Sequence, residues 1–175
     1  GGSPNTWAQT TAYAHSPTHS WTDSPSGAYG NNASNWLRSP VLNAGGITGL
    51  ELSFWHRYDT EATYDFGYVE YSINGGTTWL PYVAVYDGLQ DTWTSQTLDG
   101  ALMDGHEDIA FRFRFQSDGS VTADGWYLDD VVVAGHRGPT EAVPTAPVAG
   151  DGERGFFSPL QTSLNVCLPC ASPFL

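Results

Sequence analysis

Acidic side chains are the residues of this sequence whose chemistry is most informative. Glu61 and Asp65 lie in one loop after an apolar alternating segment, and Asp23 lies in a Ser-Pro turn. Asp129 and Asp130 interrupt an otherwise apolar segment, and because adjacent strand residues point to opposite faces, one of them is expected on the core side. A buried carboxylate needs a partner, and the chain has six arginines, no lysine and 19 carboxylates. Calcium binds carboxylate and carbonyl oxygens and fits this pattern; aspartates that cap turns and bind arginines are the alternative.

Catalytic motifs are missing from the sequence. It contains no HExxH, GxSxG or phosphate-cradling glycine motif. His15 and His19 lie on a loop that Pro17 interrupts, which favours exposed histidines over a zinc site. With 19 carboxylates, a pair for glycoside hydrolysis can be chosen freely and therefore indicates nothing. The sequence predicts a protein that is not an enzyme.

Aromatic residues and three local motifs suggest other sites. Seven tryptophans and nine tyrosines could form a flat platform that stacks on sugars, or they could fill the core of a β-sandwich. The tripeptide Asn32-Ala33-Ser34 is an N-glycosylation sequon, so Asn32 is a candidate modification site. Cys167 and Cys170 have the spacing of a redox or zinc half-site, but no second ligand pair accompanies them. We therefore expect a local disulfide between them.

The charge of the chain excludes two classes of partner. Its formal net charge is −13, which repels nucleic acid phosphates and anionic lipid surfaces and attracts divalent cations. No run of about 18 apolar residues is present, so we expect no transmembrane span. The two cysteines leave the cellular compartment open.

Alternation of apolar and polar residues dominates from position 49 to 134, and no helical period is sustained. The clearest strand is Ile109–Phe115, in which Phe111, Phe113 and Phe115 should point inward and Arg112 and Arg114 outward. Further strands are predicted at 50–58, 66–73, 77–86 and 126–133, with weaker ones at 7–14, 35–42 and 92–98. Short strands separated by turn residues predict an all-β, antiparallel sandwich.

The composition changes at Gly138 and divides the chain into three parts. Residues 1–137 form the predicted sandwich, and 138–155 have the proline and glycine content of a linker. Residues 156–175 carry no charge and accumulate large apolar side chains, which predicts a docking tail with an extended form. Its apolar residues include Phe156, Phe157, Leu160, Leu164 and Val166.

Three ordered groups of motifs carry a family resemblance that covers roughly residues 7–135. The first is Asp23–Tyr29 with Leu37–Leu42, and the second is Leu52–Tyr58, which runs into Glu61, Tyr64 and Asp65, with Val69–Trp79. The third is Phe113–Phe115 and Ser117-Asp118 with Gly125–Val131. The set resembles the MAM-like jelly-roll modules of bacterial secreted proteins, such as those that follow the catalytic domains of immune-inhibitor-A-type metallopeptidases. This resemblance implies a calcium-stabilised, extracellular module with an accessory, adhesive or assembly role. By similarity, the calcium would lie among Asp23, the Glu61–Asp65 loop and one of Asp129 or Asp130.

Two functions compete at this stage. In the first, the chain is a secreted structural or adhesive subunit that self-assembles into a filament or surface layer, because its tail docks on a neighbouring copy. In the second, it is an accessory module of a secreted peptidase or another multidomain enzyme, and it binds a carbohydrate or a protein. If the tail instead docks on its own domain, the same apolar side chains are buried and no neighbouring copy is needed.

Overall fold

The computed structural model describes residues 1–138 and the backbone of 163–167. Within these residues the chain forms two antiparallel β-sheets that pack face to face, with one short 3₁₀ turn at Ala101–Met103. The predicted all-β sandwich is confirmed. None of the described residues belongs to a helix long and apolar enough to cross a bilayer.

The strands follow one another closely along the chain. In chain order they are β1 (Gly2–Ser3), β2 (Ala8–Thr10), β3 (Ser20–Thr22), β4 (Ser34–Arg38), β5 (Ile47–Asp59), β6 (Phe66–Ser72), β7 (Ala84–Tyr86), β8 (Leu89–Asp99), β9 (Ala110–Gln116), β10 (Gly125–Arg137) and β11 (Ser163–Cys167). The first sheet has the order β1-β4-β9-β6-β7. The second has the order β2-β3-β10-β5-β8, and β11 pairs with β10.

Strand β9 shows why the two sheets pack together. Phe111, Phe113 and Phe115 are buried between the sheets, as their alternation predicts. Arg112 and Arg114 point away from the core and bind the carboxylate of Glu70 on β6. The inward and outward assignments of this strand are therefore confirmed.

Strand β5 supplies the opposite wall of the core. Leu50, Leu52, Phe54 and His56 alternate along it and are all buried. The ring centroids of Phe54 and Phe113 lie 5.0 Å apart in an edge-to-face arrangement, which links the two sheets through one of the favourable aromatic geometries.

Several predicted strand limits are wrong. The segment 77–86 forms a strand only at Ala84–Tyr86, because Pro81 has no N–H to donate to a ladder and lies outside it. The weak strand at 7–14 is reduced to Ala8–Thr10, whereas that at 92–98 extends over Leu89–Asp99. A turn follows β6 at 74–76, where Gly75 and Gly76 both have positive φ.

Strand β10 contains an irregularity at Asp129 and Asp130 that corrects the prediction of a core-facing aspartate. The register with β5 shifts between Asp129 and Val132, and Asp130 has a φ of 47°. Leu128 and Val131 are both buried in the core, so the bulge resets the alternation. Asp129 is buried as well, but its carboxylate binds the backbone of His15 and Ser16 and does not face the other sheet.

Part of the predicted tail pairs with the chain's own sandwich. Strand β11 runs antiparallel to the second half of β10, with Val132 opposite Cys167 and His136 opposite Ser163. Leu164, Val166 and Cys167 lie in this strand. Phe156, Phe157, Leu160 and Cys170 lie outside the described residues, as does most of the predicted linker, so the disulfide stays a prediction. The intramolecular alternative is the arrangement that this structure describes.

The buried His56 predicts how stability changes with pH. Its Nδ1 accepts a hydrogen bond of 3.3 Å from the indole N–H of Trp126, and burial lowers its pKa to about 4. The unfolded chain therefore binds more protons than the folded chain between about pH 4 and 6.5, and stability falls as the pH decreases through this window. Between about pH 6.5 and 4, the unfolding free energy of the parent protein should therefore fall by up to about 3 kcal/mol more than that of a His56→Gln variant.

Urea unfolding of both proteins at a series of pH values measures this effect. The quantity that reports on His56 is the difference between the two proteins in the slope of unfolding free energy against pH, because the acidic groups titrate in both. Parallel pH profiles would contradict a neutral, buried His56.

Candidate metal centre

One end of the sandwich brings three loops together. Strand β6 begins where β9 ends, with Phe66 opposite Gln116, and Ser34 of β4 also faces Gln116. The loops before β4, before β6 and after β9 must therefore meet at this edge. This register places the 60–65 loop, which carries Glu61 and Asp65, directly beside Asp118.

The carboxylates of Glu61, Asp65 and Asp118 form a compact cluster. One oxygen from each lies within 4.8 Å of the others, Asp65 is fully buried, and the other two residues are half-buried. Three negative charges at this separation repel one another unless a proton or a cation lies between them. Three oxygen donors of this kind suit a hard divalent cation, so the described cluster could hold a metal ion.

Asp65 fixes the geometry of the cluster through hydrogen bonds. Its Oδ2 accepts a 2.6 Å bond from the hydroxyl of Tyr29, and its Oδ1 accepts a 2.7 Å bond from the N–H of Asp118. The Tyr29 hydroxyl in turn accepts a bond of 3.0 Å from the N–H of Glu61. One buried carboxylate thus connects all three loops, and burial together with the bond to Asp65 raises the pKa of Tyr29.

Glu61 is the cluster residue whose surroundings most favour a bound cation. Its Oε2 is buried and has no hydrogen-bond donor among the described residues. Desolvation and the charges of Asp118 and Asp65 raise the pKa of its carboxyl group. A carboxylate oxygen removed from water without a donor is unfavourable, and a bound cation would remove that cost. The residues present therefore fit a metal ion.

Asp23 lies at the same end of the sandwich but is not one of the clustered carboxylates. It is buried, and its Oδ1 accepts a 2.7 Å bond from the N–H of Trp126. Its Oδ2 has no donor in the part of the chain that the structure describes. Burial, with a further contribution from the charge of Asp124, raises the pKa of Asp23 to about 7. The charge of Asp23 also contributes to the raised pKa of Tyr29, the residue whose hydroxyl donates to Asp65.

Asp129 and Asp130 have a different role from the predicted one. The Oδ2 of Asp129 accepts bonds of 2.8 and 3.0 Å from the N–H groups of His15 and Ser16. The carboxylate of Asp130 binds the ring of His15 and the hydroxyl of Ser16. Both aspartates hold the 13–16 segment against the second sheet, and their carboxylates are not part of the cluster.

Asp118 is the cluster residue that sequence analysis missed. It follows β9 in a Ser-Asp-Gly-Ser segment, and its Oδ1 accepts a bond of 2.8 Å from the N–H of Ser120, which is an ordinary turn interaction. Nothing in that segment alone indicates a metal ligand. The available signal was the pairing of β6 with β9, which brings the ends of two distant segments together.

The remaining candidate residues have simpler surroundings. Asn32 is exposed and has a φ of 55°, so its side chain is accessible, and glycosylation there remains a prediction. The ring of His15 stacks on Trp55 with centroids 3.8 Å apart. This stacking, together with the bond to Asp130, accounts for His15 without a zinc ion.

Comparisons with known proteins relate the chain to a segment of a larger one. No family model matches, so the resemblance to MAM-like modules remains a prediction. The chain is 34% identical to Bacillopeptidase F of Bacillus subtilis over 108 residues, which are 62% of this chain and 7% of that protein. The chain therefore spans only a small part of that relative.

Solved structures with some likeness include two cleaved adhesin domains of Lys-gingipain and a family 16 carbohydrate-binding module. The adhesin domains are each 18% identical and have TM-scores of 0.46 and 0.48; each match covers 75% of this chain, and 91% and 93% of the respective domains. The carbohydrate-binding module is 12% identical with a TM-score of 0.47, over 74% of this chain and 86% of the module. Scores of this size carry no argument about this chain.

A neutral substitution in the cluster should be stabilising when metal is removed. In the presence of a chelator, we expect Glu61→Gln to melt at a higher temperature than the parent protein, because it removes one of three mutually repelling charges. Asp91→Asn is a matched control, since Asp91 is exposed and lies outside the cluster. Calorimetry of the three proteins in chelator measures the effect, and a lower melting temperature for Glu61→Gln alone would contradict it.

Proposed function

We propose that this chain is a non-catalytic binding module of an extracellular multidomain protein, which a calcium ion stabilises and which recognises a carbohydrate or a protein. The carboxylate cluster of Glu61, Asp65 and Asp118 is the observation that carries the proposal. It connects three loops at one end of a sandwich and leaves a buried oxygen of Glu61 without a donor.

Calcium suits this cluster better than magnesium does. Its donors are oxygens on irregular loops, and calcium accepts variable coordination, whereas magnesium demands near-octahedral geometry and retains its water. The strongly acidic chain, with a net charge of −13, further favours accumulation of divalent cations around it. In this role the ion would tie the loops together.

The surroundings of the carboxylates favour a structural role over catalysis. Both oxygens of Asp65 already accept hydrogen bonds, one from a side chain and one from the backbone. Such a group holds loops in place and is poorly suited to transferring protons to a substrate. Similarity to a segment of a peptidase supports an accessory position beside a catalytic domain.

Removal of calcium tests the proposal. We expect millimolar calcium to raise the melting temperature over that in chelator, because an ion that binds only the folded state adds about 2.7 kcal/mol at a concentration 100 times its Kd. Asp118→Asn should lose most of this increment, and Asp91→Asn should keep it. A melting temperature that does not respond to calcium would contradict a structural ion.

Self-assembly through the tail is the second candidate, and the pairing of β11 with β10 bears on it. The edge of β10 from Val132 to His136 accepts an added strand, and here that strand belongs to the same chain. A strand from a neighbouring copy could use the same backbone groups. The intramolecular strand satisfies this edge without any neighbour, so the binding module is the better-supported proposal.

Truncation after Gly138 separates the two candidates. We expect the full chain to be monomeric and the truncated chain to melt at a lower temperature, because the edge of β10 loses five paired residues. Light scattering and calorimetry measure these properties. Large species that form with the full chain and disappear on truncation would support assembly and contradict the intramolecular arrangement.

A further inference from the structure

The outer face of the first sheet concentrates the positive charge of this acidic protein. Three of the six arginines lie there, and they alternate with aromatic rings from neighbouring strands. We call this surface the aromatic–arginine face; its members are Arg38, Arg112, Arg114, Trp36, Tyr68 and Trp79.

Guanidinium groups and rings on this face are in direct contact. The Cζ atom of Arg112 lies 4.3 Å from the ring centroid of Trp79 and 5.3 Å from that of Trp36. The Cζ atom of Arg114 lies 4.2 Å from the ring centroid of Tyr68. These contacts hold the long arginine side chains in fixed positions, which reduces the entropy that they would lose on binding a ligand.

Glu70 neutralises only part of this charge. It accepts hydrogen bonds from Arg112 and Arg114. Burial would raise the pKa of Glu70, but the bonds and charges of Arg114 and Arg112 outweigh it and lower the pKa, so Glu70 stays ionised. Glu70 offsets one of the three guanidinium charges, and the charge of Asp87 also acts on Tyr68 at the edge of the face. A smaller positive excess remains, on Arg112 and Arg114 side chains that are 15% and 18% exposed and on Arg38.

The surface remains accessible at its edge. Tyr82 is 56% exposed and packs against Tyr68 with a centroid distance of 5.3 Å, and Val85 beside it is 42% exposed. On the outer face of the second sheet, the 13–16 segment lies over part of β5, with Tyr13 over Arg57 and His15 over Trp55, and Tyr13 is 43% exposed. Both faces are therefore partly accessible, and the accessible edge of the first sheet is the one that adjoins several guanidinium groups.

The chemistry of the face selects one class of ligand. Guanidinium groups recognise carboxylates with paired hydrogen bonds, and aromatic rings stack on flat apolar surfaces such as the C–H faces of pyranoses. A chain of sugar acids presents both features at every unit. An acidic peptide would supply the charge without flat rings to stack, and an extended peptide is expected at a strand edge rather than on a sheet face.

The geometry points to the aromatic–arginine face as a binding site for an acidic polysaccharide of the uronate type. This inference rests on the proposed binding function and names its ligand class and its surface. Carboxylates of the sugar chain lie against Arg38 and Arg112, and sugar rings stack on Tyr82 and Tyr68. The excess of positive charge attracts the ligand to this face and the acidic remainder of the protein repels it elsewhere.

Titration of the full chain with short galacturonate oligosaccharides tests the inference. We expect binding that weakens as sodium chloride is raised, because the contacts are charged and partly exposed. Arg38→Gln should weaken binding about threefold to tenfold, and Tyr82→Ala by a similar factor. Arg57→Gln is the matched control, since Arg57 also lies over a ring but on the opposite face; its affinity should equal that of the parent. Neither Arg38 nor Tyr82 is hydrogen-bonded to Glu70 in the contacts above, but Arg38 donates a bond of 2.7 Å to the carbonyl of Gly75, so the melting temperature of each variant is measured beside its affinity.

Several results would overturn the inference. Absence of galacturonate binding, equal loss with Arg57→Gln, or equal affinity for a neutral glucose oligosaccharide would each do so, as would binding of polyglutamate in place of the sugar acid. The calcium-dependent melting temperature of the same samples separates this failure from failure of the proposed function. A protein that calcium stabilises and that binds a neutral sugar or a peptide keeps the proposed function and loses this site.

Discussion

The pairing of β9 with β6 is the constraint on which most other features of this protein depend. It sets Phe113 opposite Val69 and Gly67 opposite Phe115, which directs the phenylalanines of β9 into the core. The same register places Arg112 opposite Glu70 on the outer face. At the end of both strands, it brings the loop of Asp65 to that of Asp118. A shift by one residue would bury arginines and expose phenylalanines, so the register is strongly specified.

Acidic groups are placed in this fold in three different physical situations. Glu70 forms ion pairs with Arg112 and Arg114. Asp129 accepts backbone N–H groups of the 13–16 segment and has its partners within the protein. Glu61 and Asp23 each have a buried oxygen to which no described residue donates, and Asp65 and Asp118 add charge beside Glu61. The third situation is the one that a cation would relieve, and it occurs at the end of the sandwich where the loops converge.

The two outer faces of the sandwich carry different sets of contacts. On the face of the second sheet, Asp129 and Asp130 hold the 13–16 segment, and Trp55 stacks on His15. On the face of the first sheet, Trp79 of the 73–83 connection lies against Arg112, and the arginines and rings are held by one another. Since the cluster of carboxylates lies at the end and the arginines lie on a face, a structural ion and a ligand need not compete for one surface.

The sequence by itself determined the class of fold and the inner and outer residues of its regular strands. Alternation along β9 and β5 is a local property, and burial of one face follows from it directly. Glu61 and Asp65 share one short loop, so their sequence separation alone keeps the two carboxylates near each other.

Only the tertiary structure decided which distant residues meet. Asp118 joins the cluster because β6 and β9 end side by side, which no local pattern records. Asp129 and Asp130 leave it because a bulge in β10 resets the alternation that the prediction assumed to be regular. The gathering of Arg38, Arg112 and Tyr68 on one face likewise depends on the order of strands in the sheet. Local sequence sets the direction of each side chain, whereas pairing between strands sets its neighbours.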